Sequence, residues 1–317
     1  MRREREPAPA SRATARRRRV HYLLALALAL AAVAQAPASA RQDDDEVVRV
    51  ESELVLLNAT VTGPDGRFVR KLAREDFRVF EDGREQSVAF FGVEETPFAA
   101  AILLDTSGSM EGRLSLARAA AIRFLDGLRE EDVAAVYHFN SEVEQLQDFA
   151  PGRDLPPVAY GLNSKGWTVL HDAVLRAARD LSSRPEKRRA IVVLSDGADT
   201  RSGASADKAL DAALAAGAVI YTVNMADPRA QGIQALGAAG TLRHFAEKSG
   251  GRYLSKPGGQ ALSEAFAEIV EELSRQYTLG YRPLNRARDG RWRAVEVKIS
   301  KPGATARTRK GYRARKP

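Results

Sequence analysis

The chain contains no cysteine among its 317 residues. This absence excludes a disulfide framework, metal sites built on thiolates and lipidation of an N-terminal cysteine. The longest apolar run holds about 15 residues, which is short of the roughly 20 that a membrane-spanning helix needs. Apolar residues nevertheless make up 44% of the chain, enough for a substantial core. Stability must therefore come from that core or from a bound metal.

Positive charge is concentrated at the two ends of the chain. Residues 1–40 hold eight Arg against two Glu, and residues 286–317 hold twelve Lys and Arg against two acids. Because the whole chain carries +8, residues 41–285 carry −8. This distribution argues against nucleic acid as a partner. The basic C-terminal tail could contact an anionic polymer or lipid, but a solvated terminus is the simpler interpretation.

The N-terminus has the three parts of a secretory signal. The cationic stretch "ARRRR" precedes the apolar stretch "VHYLLALALALAAVA", and "ASA" at Ala38–Ala40 is a small-residue cleavage site. We expect cleavage after Ala40, with no stable membrane span afterwards, and export to the periplasm, the cell surface or the medium. An uncleaved anchor is the alternative, and the paired arginines match a twin-arginine signal loosely.

Hydrophobic patterning divides the rest of the chain into β and α/β parts. Alternating segments with Asp-Gly turns at Asp65-Gly66 and Asp82-Gly83 predict hairpins near the N-terminus. Fully apolar strand patterns then alternate with helical patterns, which predicts a doubly wound, mostly parallel sheet. A small antiparallel β module would flank this α/β fold. The predicted organisation is a signal peptide at 1–40, an acidic leader at 41–46, a β module at 47–96, the α/β domain at 97–275 and a C-terminal β segment with a basic tail at 276–317.

Two predicted strands of the α/β part end in aspartate. "AILLD" ends at Asp105 and "IVVLSD" at Asp196, and between them "GWT" ends at Thr168 before a helix. Ligands of open α/β sheets bind beyond the carboxyl ends of the strands, so these segments should meet at one edge. Ser107 and Ser109 follow Asp105 closely. Each residue alone could be a helix cap, a turn residue or a small loop residue.

Together these five side chains form a set of hard oxygen donors without imidazole or thiolate. Such a set suits Mg²⁺, Mn²⁺ or Ca²⁺ and disfavours zinc. If water carries some of the carboxylate contacts, the ion keeps a net positive charge and an open position for an anionic oxygen from outside. We predict a metal site built from Asp105, Ser107, Ser109, Thr168 and Asp196.

The order of these elements resembles the von Willebrand factor A domain with its metal-ion-dependent adhesion site. The Asp-x-Ser-x-Ser element matches Asp105, Ser107 and Ser109, the second-loop threonine is Thr168, and the third-loop aspartate is Asp196. The layout is similar to bacterial exported proteins related to this family. The resemblance implies that an Asp or Glu of a partner protein completes the metal coordination.

The sequence departs from the family pattern at Trp167, where a small residue is usual. The indole would contact a ligand at the rim of the site or pack against a neighbouring loop. Glu111 is a second rim candidate, expected to be solvated. Asp172 and Asp199 are expected to accept hydrogen bonds within the loops rather than bind metal.

The function predicted from the sequence is an exported, cation-dependent protein-binding module for adhesion or assembly. It has no catalytic residues and is not an enzyme. The alternative is a Mg²⁺-dependent phosphohydrolase or another enzyme using Asp105, although Ser107 stands where aspartyl phosphatases generally carry a second acid. A serine hydrolase elbow and an ATP-binding phosphate loop are both missing from the sequence, which disfavours a hydrolase or an ATPase-linked chelatase subunit.

Overall fold

The computed structural model describes residues 54–93, 96–152, 154–226, 232–255 and 259–316. The predicted signal peptide and acidic leader lie outside these residues. No helix within the described ranges has the length and apolar character required to cross a membrane.

A six-stranded sheet lies at the centre of the α/β part. Its strands are β5 (Phe98–Asp105), β6 (Val133–Phe139), β7 (Val143–Ala150), β8 (Arg188–Ser195), β9 (Ala218–Asn224) and β10 (Tyr253–Ser255). The spatial order is β10-β9-β8-β5-β6-β7, and all neighbours are parallel except the edge strand β7, which is antiparallel to β6. The predicted fold class, a doubly wound and mostly parallel sheet, is confirmed.

Helices cover both faces of this sheet, which explains why its central strand is apolar throughout. On β5, Ile102 packs with one core and Leu103 with the other, because successive side chains point to opposite faces. The helices are α1 (Leu114–Asp126), α2 (Leu170–Ser182), α3 (Ala206–Ala215), α4 (Ile233–Ser249) and α5 (Gly259–Ser274). The first core includes residues of α1 and α5, and the second includes residues of α2, α3 and α4.

Strands from before and after the α/β part form two four-stranded antiparallel sheets. Their strands are β1 (Val55–Thr62), β2 (Phe77–Glu81), β3 (Arg84–Gln86), β4 (Val88–Gly92), β11 (Tyr277–Tyr281), β12 (Trp292–Ile299), β13 (Thr305–Arg307) and β14 (Gly311–Arg313). The orders are β13-β1-β11-β4 and β14-β12-β2-β3. A shared core with Leu57 and Tyr277 from one sheet and Val79 and Val297 from the other joins them as a sandwich.

The two Asp-Gly turns predicted from the sequence behave differently. Asp82 and Gly83 both have positive φ, at 47° and 78°, and close the predicted two-residue hairpin between β2 and β3. The turn at Asp65-Gly66 closes only an isolated bridge between Thr62 and Phe68. The predicted turn is therefore present, held by hydrogen bonds from Gly63 N–H to Arg67 O and from Val69 N–H to Val61 O, both at 2.9 Å, but its second arm does not extend into a strand. The strand partners of β1 are β11 and β13, more than 200 residues further along the chain.

Candidate metal centre

The candidate centre lies at the topological switch point of the sheet, between β5 and β8. From β5 the chain moves to β6 on one side, and it later returns to β8 on the other side. The loops that leave β5 and β8 therefore diverge and open a crevice at their carboxyl ends. Asp105 is the last residue of β5, and Asp196 directly follows β8. The topology thus brings the two aspartates of the predicted site to one place.

Asp105 is fully buried and accepts hydrogen bonds on both carboxylate oxygens. The backbone N–H of Ser107 donates to Oδ1 at 2.9 Å, and the hydroxyl of Ser195 donates to Oδ2 at 2.5 Å. Burial, with a smaller contribution from the nearby charge of Asp196, raises the pKa of Asp105 to about 6 against the lowering effect of these hydrogen bonds. No Lys, Arg or His of the described residues forms an ion pair with either aspartate.

The two serines of the first loop stand next to each other. Their hydroxyl oxygens are 3.1 Å apart, and the 3₁₀ turn Gly108–Met110 holds them in this arrangement. Ser107 is buried, whereas Ser109 is exposed. The hydroxyl pair therefore reaches from the buried carboxylate toward solvent.

The second loop is fastened to the first through backbone hydrogen bonds. Gly108 N–H donates to Gly166 O at 3.2 Å, and Lys165 N–H donates to Thr106 O at 2.9 Å. Gly166 has a φ of 79°, and a Cβ there would lie 2.6 Å from Ser141 Oγ, so the loop requires glycine at this position. Two residues later this loop delivers Thr168 to the same edge of the sheet.

Thr168 is 3% exposed and is held by the third loop. Its N–H donates to Thr200 Oγ1 at 2.9 Å, and its carbonyl accepts from the N–H groups of Thr200 and Arg201. The backbone of Thr168 is thus satisfied by other loop residues.

The third loop positions Asp196 through a tight turn. Asp196 Oδ1 accepts the N–H of Ala198 at 3.2 Å, and the side chain is only partly buried. Gly197 has a φ of 84°, and a Cβ there would lie 2.5 Å from Ala238 O on α4. Glycine therefore lets the loop pass close against α4 and return Asp196 toward Asp105.

Asp172 and Asp199 accept hydrogen bonds from the loops, as predicted. Asp199 Oδ2 accepts the N–H of His171 at 2.9 Å and the hydroxyl of Ser202 at 2.6 Å. Asp172 accepts the N–H groups of Gly203 and Ala204 at 2.8 and 2.9 Å. The two side chains fasten α2 to the loop after β8.

At the rim, Trp167 is 56% exposed. Its backbone N–H donates to Ser141 Oγ at 3.1 Å, and its ring lies under the guanidinium of Arg201 in the third loop, 5.6 Å from the ring centroid, so the indole contacts a neighbouring loop and also stays open to solvent. Glu111 is exposed beside the first loop, as expected. Both rim candidates are therefore accessible to a ligand, and their role in binding stays a prediction.

The residues present fit a hard divalent cation. Two carboxylates and three hydroxyls belong to loops that meet at one edge of the sheet, one of the carboxylates is buried, and no cationic side chain in the described part of the chain pairs with it. Within those same residues, no group of three or more His, Cys, Asp or Glu could hold a metal. The candidate centre would therefore depend on hydroxyl and water ligands beside its two acids.

Two contributors escaped the sequence analysis. Ser195 bonds the buried carboxylate and also accepts the N–H of Gly197 at 2.9 Å, and Thr200 holds the second loop. The signal for Ser195 was present in the sequence, since a serine at the end of an apolar strand and directly before Asp196 is a polar residue in a buried position. Thr200 carried no such signal, because its contact with the N–H of Thr168 depends on the conformation of the third loop.

Fold and site together define a class: an open α/β domain with an oxygen-lined crevice at its topological switch point. Residues 101–256, just under half of the chain, match the family model of the von Willebrand factor type A domain. This match confirms the resemblance to the domain itself over that segment, while the metal-ion-dependent adhesion site and export stay predictions. No curated protein sequence matches the chain significantly.

Several solved structures are similar to the chain at low sequence identity. The von Willebrand factor domain of the type V pilus tip protein Mfa5 from Porphyromonas gingivalis is 16% identical with a TM-score of 0.47, over 56% of this chain and 95% of that one. A von Willebrand factor type A protein from Catenulispora acidiphila is 15% identical with a TM-score of 0.45, over 84% and 75%. The PilB minor pilin from Streptococcus sanguinis is 15% identical with a TM-score of 0.44, over 57% of this chain and 62% of the pilin. TM-scores below 0.5 do not establish a common function.

Proposed function

We propose that the protein is a divalent-cation-dependent protein-binding module acting in adhesion or assembly. The observation that carries the proposal is the buried Asp105 carboxylate, which faces hydroxyls and a second acid and has no cationic partner among the described residues. A buried carboxylate without a counter-charge is costly, and a bound cation would remove that cost. The family match over residues 101–256 supports the same interpretation.

Asp105, Ser107, Ser109, Thr168 and Asp196 would hold the cation. Mg²⁺ is the best candidate because it prefers oxygen ligands and retains water, and Mn²⁺ or Ca²⁺ could use the same donors. The cation supplies a positive charge that can accept one further anionic ligand. An Asp or Glu of a partner protein would provide that ligand, with exposed Trp167 and Glu111 at the rim of the contact.

The arrangement of Asp105 favours binding over catalysis. A nucleophilic carboxylate must reach its substrate, whereas both oxygens of Asp105 accept hydrogen bonds and the residue is completely buried. His138 does not approach the carboxylate as a base. Its ring nitrogens lie 3.1 Å from Thr106 Oγ1 and 3.2 Å from Glu144 Oε2. We therefore propose a module without enzymatic activity.

We further propose that the protein acts outside the cytoplasm after removal of residues 1–40. The basis is the signal-like N-terminal sequence. N-terminal sequencing of protein from the native host should find a chain that begins near Arg41. A cytosolic protein that retains Met1 would contradict this proposal.

The function is tested by capture of a partner from an envelope extract on immobilised mature protein. We expect a specific partner to be retained in Mg²⁺ and released by a chelator, and Asp105→Ala to retain none. Glu130→Ala, which removes an exposed acid elsewhere, is the matched control and should behave like the wild type. Capture that is insensitive to the chelator and to Asp105→Ala would rule out a metal-bridged contact.

A further inference from the structure

A cationic groove lies at the other end of the α/β sheet from the candidate metal centre. It has a volume of about 490 Å³, within the range of ligand sites. Its charged lining consists of five basic side chains and one acid: Lys187, Arg189, Arg309, Arg313, Arg315 and Asp211. Arg189 and Asp196 are separated along β8 and its end by seven residues, or about 23 Å of extended strand, so the groove and the metal centre are distinct.

Elements of the α/β part and of the sandwich both contribute to the groove. Lys187 precedes β8, Leu214 and Ala215 end α3, and Tyr312 belongs to β14. The remaining wall is the beginning of β1, Leu54–Leu56. Apolar and cationic groups therefore alternate around one open cavity.

Two guanidinium groups of the groove lack an acidic partner. Arg189 donates to the carbonyls of Glu186 at 2.9 Å and Ala216 at 2.7 Å, and Arg309 donates to the carbonyl of Leu214 at 2.7 Å. Burial lowers the pKa of both arginines, which shows that their charge is poorly solvated. Neutral carbonyls satisfy these N–H groups, and the only carboxylate that attracts either guanidinium is Glu186, which acts on Arg189 without forming an ion pair with it among the described residues.

The two acids near the groove are hydrogen-bonded to other arginines and compensate its positive charge only in part. Asp211 accepts a hydrogen bond from Arg313 Nε at 2.7 Å, and Glu186 pairs with Arg184 at 2.9 Å. Neither Lys187, Arg189 nor Arg309 forms an ion pair with a carboxylate of the residues that the structure describes. An external anion in the groove would therefore gain charge-assisted contacts that the protein itself leaves unmade.

The unpaired edge of β1 favours an acidic polypeptide over other anionic polymers. β1 pairs with β11 over Val55–Ala59, but on its other side β13 pairs only with Thr60–Thr62. Among the described residues, the first half of β1 thus has no strand partner on the side away from β11. A strand edge of this kind offers backbone hydrogen bonds to an added extended chain. A polypeptide can use those bonds, whereas a glycan or a nucleic acid cannot pair in register.

We propose that this groove binds an extended acidic segment of a partner protein, which adds to the edge of β1 and places its carboxylates against the groove's basic side chains. Apolar side chains of the segment would contact Leu54, Leu214 and Tyr312. This second contact is independent of the metal centre and requires no cation.

The probe is a fluorescein-labelled octapeptide of alternating Asp and Val, measured by fluorescence polarisation. The titration uses the full mature protein carrying Asp105→Ala, in a chelator, so that the candidate metal centre cannot contribute. We expect saturable binding that weakens with added salt, because the attraction is electrostatic. The same peptide with Asn in place of Asp should bind at least tenfold more weakly.

Two substitutions should change the affinity in opposite directions. Lys187→Gln removes an exposed cation of the groove and should weaken binding about two- to fivefold, the usual worth of one solvent-accessible ion pair. Asp211→Asn removes its one acid and frees Arg313, so binding should tighten by a similar factor. Lys301→Gln makes the same charge change at an exposed site outside the groove and should have no effect. Thermal melting verifies that all three variants fold.

The backbone contact is tested separately. Two peptides are compared, one N-methylated at the odd positions and one at the even positions. Only one of the two should lose binding, because only one set of backbone N–H groups faces β1. The proposal is overturned if Lys187→Gln and Asp211→Asn match Lys301→Gln. It is also overturned if both methylated peptides bind like the parent and a sulfated glycan competes equally, since the groove would then be a general polyanion surface.

Discussion

Two buried carboxylates of this protein have opposite surroundings. Glu272, on α5, is 1% exposed and receives hydrogen bonds from Thr60, Tyr221 and Arg307, with Arg252 3.8 Å away. Asp105 is equally buried, but the groups that donate hydrogen bonds to it belong to Ser107 and Ser195 and are neutral, and a second acid lies nearby. One negative charge is therefore neutralised by the fold and the other is not.

The contrast separates the structural role of Glu272 from the metal-binding role that we propose for Asp105. Glu272 bonds Thr60 of β1 and Arg307 of β13, so it fastens α5 to the sandwich. Gln276 extends this contact, since its side-chain amide donates to Thr60 Oγ1 and Tyr221 OH. The carboxylate of Asp105 fastens no two elements together in this way within the described structure. It lies at a strand end, beside the crevice where ligands of this fold class bind.

The largest expected effect is that of removing Glu272. Glu272→Ala leaves Arg307 partly buried without its partner and should lower the free energy of unfolding by about 3–5 kcal/mol. Chemical denaturation measures this loss. Glu268→Ala removes an acid of the same helix that is about half exposed and pairs with Arg252, and it should cost less than about 1 kcal/mol. Equal losses for the two variants would mean that the buried network has no special stabilising role.

The second prediction is a gain, not a loss, in the free energy of unfolding. The pKa of Asp105 is higher in the folded chain than in the unfolded chain, so its ionised form opposes folding as pH rises from about 4 through 6. In the absence of metal, Asp105→Asn should therefore raise the free energy of unfolding at pH 7 by about 1–3 kcal/mol, at 1.36 kcal/mol for each pH unit.

The pH dependence provides the control for this prediction. Near pH 4, the wild-type carboxyl is protonated in the folded state and about half protonated in the unfolded state, so the gain from Asp105→Asn should fall well below ~1 kcal/mol. Denaturation curves of both proteins, recorded in a chelator at pH 4, 5.5 and 7, measure how the gain changes with pH. A variant that is less stable than the wild type at every pH would show that Asp105 is compensated within the fold, like Glu272.

The smallest effect is expected at the rim. Trp167→Ala removes a half-exposed indole whose contact with Arg201 is worth about 0.5–1 kcal/mol at an exposed site. We expect the stability to change by no more than that amount and the Mg²⁺ affinity to stay within twofold, because the indole is not a metal ligand. Calorimetry measures the metal affinity. A tenfold loss of Mg²⁺ binding would instead place Trp167 among the supports of the metal site.

Much of the α/β part could be predicted because its signals are local. The apolar run that ends in Asp105 predicts a strand buried on both faces, and the order of strands and helices predicts the sheet edge at which Asp196 arrives. The pairing of β1 with β11 and β13 could not be read locally, since it joins residues more than 200 positions apart. Ser195 is a similar case. The sequence shows it as a polar residue at the end of a strand, but its hydrogen bond to Asp105 joins residues 90 positions apart and could not be predicted.

The most direct test of the central claim is calorimetric titration of Mg²⁺ into the mature protein at pH 7.5. We expect one cation to bind per chain, binding to be lost in Asp105→Ala and in Asp196→Ala, and binding to persist in Glu272→Gln, whose carboxylate belongs to the fold. Unchanged Mg²⁺ affinity in Asp105→Ala would contradict the account, because the uncompensated carboxylate would then not be the anchor of the metal.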